Sequence, residues 1–184
     1  MLKTEHKIKN IMKIRISFLY LFIFLVFISC KQKHKSDDTL QIDNNISSTL
    51  QIMITECWNN KNMEKFREIA SEDFVRNVND IAIAKNRNEM EAAMNLFFTG
   101  FPDLNVTLSN TVVQGNRIFT NWTATGTNTG VYGEVQATGK KVKFSGYAID
   151  YYDDSGKFIQ EDIYYNELML LQQLGYGLSP PIVE

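Results

Sequence analysis

VKFSGYAIDYYDDSGKFIQEDIYY, residues 142–165, places two apolar runs on either side of Asp153, Asp154, Ser155 and Gly156. Turn formers between runs rich in aromatic and β-branched residues predict an antiparallel hairpin, with strands at Val142–Tyr152 and from Phe158 to about Tyr165. Strand side chains alternate between faces, so Phe144, Ala148 and Asp150 share one face of the first strand. By the same rule Asp162, Tyr164 and Asn166 share one face of the second.

Upstream the period of two continues. Val106, Leu108 and Val112 alternate with Thr107, Ser109 and Thr111; Gly115 and Asn116 make a turn; Ile118, Thr120, Trp122 and Ala124 then line one face. A glycine-rich connection from Gly126 to Gly139 separates this pair from the hairpin. Before Pro102 the spacing changes to three and four. Ile46, Leu50, Met53, Ile54, Cys57 and Trp58 form one helical stripe, and Asn59 to Asn62 break it. Met63, Phe66, Ile69 and Ala70 suggest a second short helix, and Phe74–Val78 a short strand. Asn88 is a candidate cap for a helix through Met90, Ala93, Met94 and Phe97. Leu168 to Leu174 close the domain with a last helical turn or two, stopped by Gly175. Helices first and a run of strands afterwards predict an α+β fold, N-terminal helices packed on a curved antiparallel sheet. Three short helices cover less area than four or five strands, so a pocket is expected between the layers.

The chain begins differently. Lys3, Lys7, Lys9, Lys13 and Arg15 precede an apolar run from Ile16 to Ile28, then Ser29 and Cys30. The run is shorter than the roughly 20 residues that a membrane-spanning helix needs, and reads as a secretion signal. A small residue before a cysteine at its end resembles a bacterial lipobox, with Phe27 in place of the usual leucine. The expected organisation is a lipoprotein signal at 1–29, a polar tether at 30–41, the folded domain at 42–176 and a tail at 177–184. Lipidated Cys30 would anchor the domain to a bacterial membrane in the cell envelope, on its periplasmic or surface side. The competing reading is an uncleaved N-terminal anchor.

The 184-residue chain has 19 basic and 21 acidic residues; residues 1–29 hold five of the basic and one of the acidic, leaving a net charge of −6 beyond them. That balance argues against nucleic acid, which needs clustered Lys and Arg on one face. Lys140, Lys141 and Lys143 read as a solvated hairpin edge. Both histidines, His6 and His34, precede the folded part. Imidazole-based triads and the usual histidine zinc sites are therefore excluded there within one chain. Cys57 reads as a buried structural thiol. No metal, flavin or nucleotide cofactor is expected, because no phosphate-cradling glycine loop follows a strand in the helical part.

Four motifs add a resemblance. Phe101-Pro102-Asp103-Leu104, the segment Trp122 to Gly130, Thr138-Gly139-Lys140 with Gly156-Lys157, and the ending Leu170-Leu171-Gln172-Gln173-Leu174-Gly175 together resemble the SnoaL-like polyketide cyclase (ester cyclase) family. The resemblance runs from about Ile46 to Tyr176. It implies a cone-shaped fold of the nuclear transport factor 2-like superfamily, and an enzyme closing a ring by an intramolecular aldol step through a pocket aspartate. Asn166 stands at the position matching that aspartate, and Glu161 and Asp162 stand where family members often carry His and Trp. An amide does not exchange protons near neutral pH.

The catalytic candidates are thus Asp162, Asn166 and Asp150, with Trp122, Tyr164, Tyr147 and Phe144 as ligand-binding candidates. A carboxylate among Trp122, Phe144 and Tyr164 would be desolvated into a usable base. Each has a plainer reading: Asp162 as a solvated edge residue, Asp150 as a cap of the hairpin, Asn166 as a cap of the closing helix, Trp122 as core. Two functions follow. One is a cyclase, isomerase or dehydratase on a small hydrophobic carbonyl compound; the other is a non-catalytic module that binds an apolar ligand or a protein. The superfamily resemblance also implies a homodimer through the open sheet face, near Phe119 and Tyr151.

Overall fold

The computed structural model describes residues 37–180. The signal segment, Cys30 and the first part of the tether lie outside the described residues.

Helix α1 (Asp37–Ile52) starts inside the segment expected to be tether and runs directly into a π-helical stretch, Met53–Asn59. Ile46, Leu50, Met53, Cys57 and Trp58 are buried along this pair, as their spacing predicts. Asn59 fixes its end: the side-chain amide donates to the Val106 carbonyl at 3.0 Å and accepts from the Val106 amide at 2.7 Å. Asn62 then caps α2 (Met63–Ile69) by accepting from the Lys65 amide.

Strand β1 (Ala70–Val78) turns at Asn79 and Asp80, both with positive φ, into β2 (Ile81–Ala84). The cap of α3 (Arg87–Gly100) is Asn86 rather than Asn88; its side chain accepts from the Glu89 amide while Glu89 accepts from the Lys85 amide. Then come β3 (Asn105–Gln114), β4 (Arg117–Thr127), β5 (Lys141–Tyr152), β6 (Phe158–Tyr165) and α4 (Glu167–Leu174). Gly175, at φ 113, ends α4 in the left-handed conformation.

The six strands form one curved sheet in the order β2-β1-β6-β5-β4-β3. It is mixed, not antiparallel as expected: β1 runs parallel to β6, and every other neighbouring pair is antiparallel. Parallel neighbours need a long connection, which the whole chain from β2 to β5 supplies.

The glycine-rich connection after β4 is pinned by a buried amide. Asn128 Nδ2 donates to the carbonyls of Gly100 and Gly130, and Oδ1 accepts from the Thr138 amide and hydroxyl. Gly130 is required here, since a Cβ would lie 1.9 Å from the Thr99 carbonyl oxygen. Gln173 docks α4 on β5 by bonding both backbone groups of Lys143. The core lies between the helices and one face of the sheet, filled by Phe66, Phe74, Met90, Met94, Phe101, Tyr152 and Phe158 among others.

Candidate functional site

Cross-strand register puts three ionisable side chains in one row. Arg76 on β1 pairs with Glu161 on β6, and Glu161 with Asp150 on β5. All three point to the helix-covered face and are buried, at 6%, 7% and 2% exposure. The Arg76 Nη1–Glu161 Oε2 distance is 2.6 Å. This contact is an ion pair without hydrogen-bond alignment, and Glu161 Oε2 has no hydrogen-bond partner among the described residues; nor do Arg76 Nε and Asp150 Oδ1. Arg76 also lies over the Trp58 ring, 5.4 Å from its centroid, and donates to the Met90 sulfur at 3.7 Å. An aromatic layer of Phe74, Phe158 and Tyr152 closes the sheet beneath, with ring centroids 4.9 and 5.3 Å apart.

On the other side of the row the strands carry small residues. Ala148 and Gly146 follow Asp150 on the inward face of β5, and Thr120 and Ala124 flank Trp122 on β4. These leave a hollow that Leu50, Met53, Ile54, Trp58 and Phe97 roof from the helices. The cavity has a volume of about 50 Å³. It is largely apolar, with Arg76, Asp150 and Glu161 at one end, Trp122, Phe144 and Tyr165 along the wall, and Leu104, Val106 and Leu108 from β3 and the segment before it.

Burial sets the protonation of the row. The carboxyl of Asp150 is held well above the usual range by desolvation first and by the charge of Glu161 second, with Arg76 opposing. Desolvation also raises Glu161, against the pull of Arg76. The two carboxyls face each other on paired strands and titrate as a unit, retaining a proton where isolated carboxylates have lost theirs. Tyr152 is raised by burial and by both carboxyls, and Tyr165 is pushed up to about 12, chiefly by burial, so both phenols are neutral.

The structure brings some of the candidate residues together and separates others. Asp150, Trp122 and Phe144 line the cavity; Asp150 sits opposite Glu161 instead of capping the hairpin, whose loop is bonded by Asp153. Asp162 does not enter the cavity. Glu161, Ile163 and Tyr165 form the inward face of β6, so Asp162 faces outward and accepts from Asn77 at 2.7 Å and Gln160 at 2.9 Å. Tyr164 shares that outer face, 37% exposed, and donates to Asp80 at 2.7 Å. Tyr147 is also outside, 38% exposed and stacked on Phe119. Asn166 lies just past the end of β6, where its side chain accepts from the Met169 amide and caps α4. Strand alternation therefore does not reach it, which is why a face counted back from Asn166 is the wrong one. Two charged cavity residues went unassigned from sequence, Glu161 and Arg76. Arg76 carried a signal: it lies between Phe74 and Val78 at spacing two, a cation on the apolar side of a strand. Cys57 is buried and its thiol is pushed up to about 12 by burial, as befits a structural cysteine. Among the described residues no cluster of three or more metal-ligating side chains occurs.

An α+β domain with an open curved sheet, helices on one face and a cavity between them defines the class. The family model for SnoaL-like polyketide cyclases matches residues 48–174, and the chain belongs to that family. Solved structures carry the same fold. A protein of Jannaschia sp. CCS1 assigned as a SnoaL-like polyketide cyclase is 21% identical with a TM-score of 0.67, over 76% of this chain and 96% of that one. AclR of Streptomyces galilaeus, assigned as a hydroxylase, is 23% identical with a TM-score of 0.64, over 72% and 97%. An LEH-like epoxide hydrolase of M. tuberculosis is 11% identical with a TM-score of 0.56, over 72% and 90%. No curated protein matches.

Proposed function

We propose that the domain is an acid–base enzyme of the cyclase or isomerase type, acting on a small, neutral, hydrophobic carbonyl compound. The observation that carries this reading is the buried Asp150–Glu161 pair at the closed end of an apolar cavity, with Arg76 beside it. Raised carboxyls in an apolar site are poised to exchange protons near neutral pH.

The chemistry balances on these three residues. Protonated Asp150 donates to the carbonyl oxygen of the substrate, ionised Glu161 takes a proton from the adjacent carbon, and an enol forms. The unpartnered Nε–H of Arg76 supports charge developing on the oxygen. Attack of the enol carbon on a second carbonyl forms the C–C bond of a ring, Asp150 recovers its proton from the enol oxygen, and Glu161 returns its proton to the new alkoxide. Asn166 has no part in this scheme. A cavity of about 50 Å³ is smaller than the ~150 Å³ that takes a benzene, so a whole ketone enters only if roof side chains such as Phe97 and Trp58 move aside.

Exchange of α-hydrogens of cyclohexanone in heavy water, followed by proton NMR, tests the reading. The wild-type domain should exceed buffer, and Asp150→Asn or Glu161→Gln should each lose about 10²–10⁴ of the catalysed rate. Ketone binding without exchange would favour the second reading, a non-catalytic binding module; neither binding nor exchange would overturn both. Lipidation of Cys30, an envelope location and a homodimer through the outer sheet face are proposals of the sequence alone. Palmitate labelling of Cys30→Ala cells and sedimentation of the purified domain test them.

A further inference from the structure

Trp122 is 7% exposed, lines the cavity, and its indole nitrogen is buried with no hydrogen-bond partner among the described residues. A buried N–H left unpaired costs free energy, of the order of 1–3 kcal/mol. Edge-to-face packing against Phe144 and Tyr165, with centroids 5.7 and 5.6 Å away and 5.9 Å from each other, holds the ring in a three-ring cluster. Its position depends on Gly146, the residue paired with it across the sheet. A Cβ on Gly146 would come within 2.6 Å of Trp122 Cζ2 and 2.3 Å of the Tyr164 carbonyl oxygen. Glycine therefore lets the indole lie against the strand and keeps the cavity open above Ala148.

Asp150 and Gly146 are four residues apart on β5, both inward, so the carboxyl row and the Trp122 row are separated by about 13 Å of strand. The stretch between them carries Ala148, Thr120 and Ile163. The single hydroxyl hydrogen of Thr120 is taken up by Thr111 or by the Ser109 and Asn121 carbonyls, and none is left for a ligand oxygen. The site thus has two polar ends and an apolar middle. Its charges are balanced: Arg76 is the sole cation lining the cavity, and Glu161 already pairs with it.

Resting on the reading of the site as a carbonyl pocket, we propose that Trp122 is a second ligand anchor, and that the ligand is an uncharged compound with oxygen functions at both ends. One oxygen meets the Asp150–Glu161–Arg76 row; the other accepts a hydrogen bond from Trp122 Nε1–H. An anionic ligand, a carboxylate or phosphate, is disfavoured because no cation is left unpaired to meet it.

Cyclohexanone and cyclohexane-1,4-dione are the probes, since they share a ring and differ by one ketone. Titrations followed by ligand-observed and indole ¹⁵N NMR should show the dione binding about five- to tenfold tighter, the worth of one hydrogen bond. Trp122→Phe should cost the dione more affinity than it costs cyclohexanone, so that the two ketones bind alike in the variant. In the wild type the dione should shift the Trp122 indole resonance, assigned by its absence in Trp122→Phe, further than cyclohexanone does at saturation. Equal loss for both ketones in Trp122→Phe, or a dione that binds no better than cyclohexanone, would overturn the anchor. If those results come with α-exchange that still depends on Asp150, the anchor fails and the enzymatic reading stands. Failure of both ketones to bind would overturn the two together.

Discussion

Asp150 and Glu161 face each other across β5 and β6, in register and on the buried side of the sheet, and Arg76 reaches Glu161 from the parallel strand β1. The parallel pairing matters chemically. It sets a cation from the start of the domain beside carboxyls from its end, so the row forms only when the whole sheet does.

Breaking the ion pair should be costly. Arg76→Met leaves Glu161 buried without its counter-charge, and a loss of about 3–5 kcal/mol is expected in urea unfolding at neutral pH. The loss should shrink at low pH, where Glu161 is protonated. A deficit that does not change with pH would show that Arg76 acts by packing alone.

The pH dependence of stability follows from Asp150. Its folded-state affinity for a proton is raised, whereas in the unfolded chain it titrates near about 3.9. Its contribution is fully present below that value and is lost as pH rises through the raised folded value. Asp150→Asn cannot ionise, so the melting temperature of the variant relative to wild type should become steadily more favourable as pH increases across that window. Parallel curves for the two proteins would contradict this.

Asp162→Asn should leave α-exchange of cyclohexanone unchanged to within about twofold. The residue is on the outer face, bonded to Asn77 and Gln160, and the substitution keeps an acceptor for both. A large fall in rate would mean that β6 presents its other face to the substrate.

Asn128→Asp should destabilise the domain by about 3 kcal/mol or more in chemical denaturation. The new carboxylate would face the carbonyls of Gly100 and Gly130 that now receive its amide hydrogens. Stability equal to wild type would show that the loop is held by other contacts.

Most of the fold was legible because it is written locally. The Asp153–Gly156 loop, the alternation in β4 and β5, and the stripe from Ile46 to Trp58 each predict an element that is present. The parallel β1–β6 pair and the short β2 were not legible, since parallel pairing is a long-range choice with no local signature and Ile81 and Ile83 are largely exposed. The candidate site shows how one residue of register decides everything on a strand. Asp150 was placed with Phe144 and Ala148, and the cavity holds all three. On β6 the face was counted from Asn166, which belongs to the helix cap, and so Asp162 and Tyr164 stood where Glu161, Ile163 and Tyr165 do. Polar β6 residues on both faces gave no hydrophobic pattern strong enough to correct the count.

Carboxyl ¹³C NMR of the domain labelled at Asp and Glu side chains, titrated with assignments from Asp150→Asn and Glu161→Gln, measures the proton on this pair. The Asp150 resonance is expected to move at a pH well above the ordinary aspartate range and to change its midpoint when Glu161 is replaced. Asp150 and Glu161 both ionised by about pH 5, each indifferent to loss of the other, would mean that no proton is held between them and that the site has no acid to give.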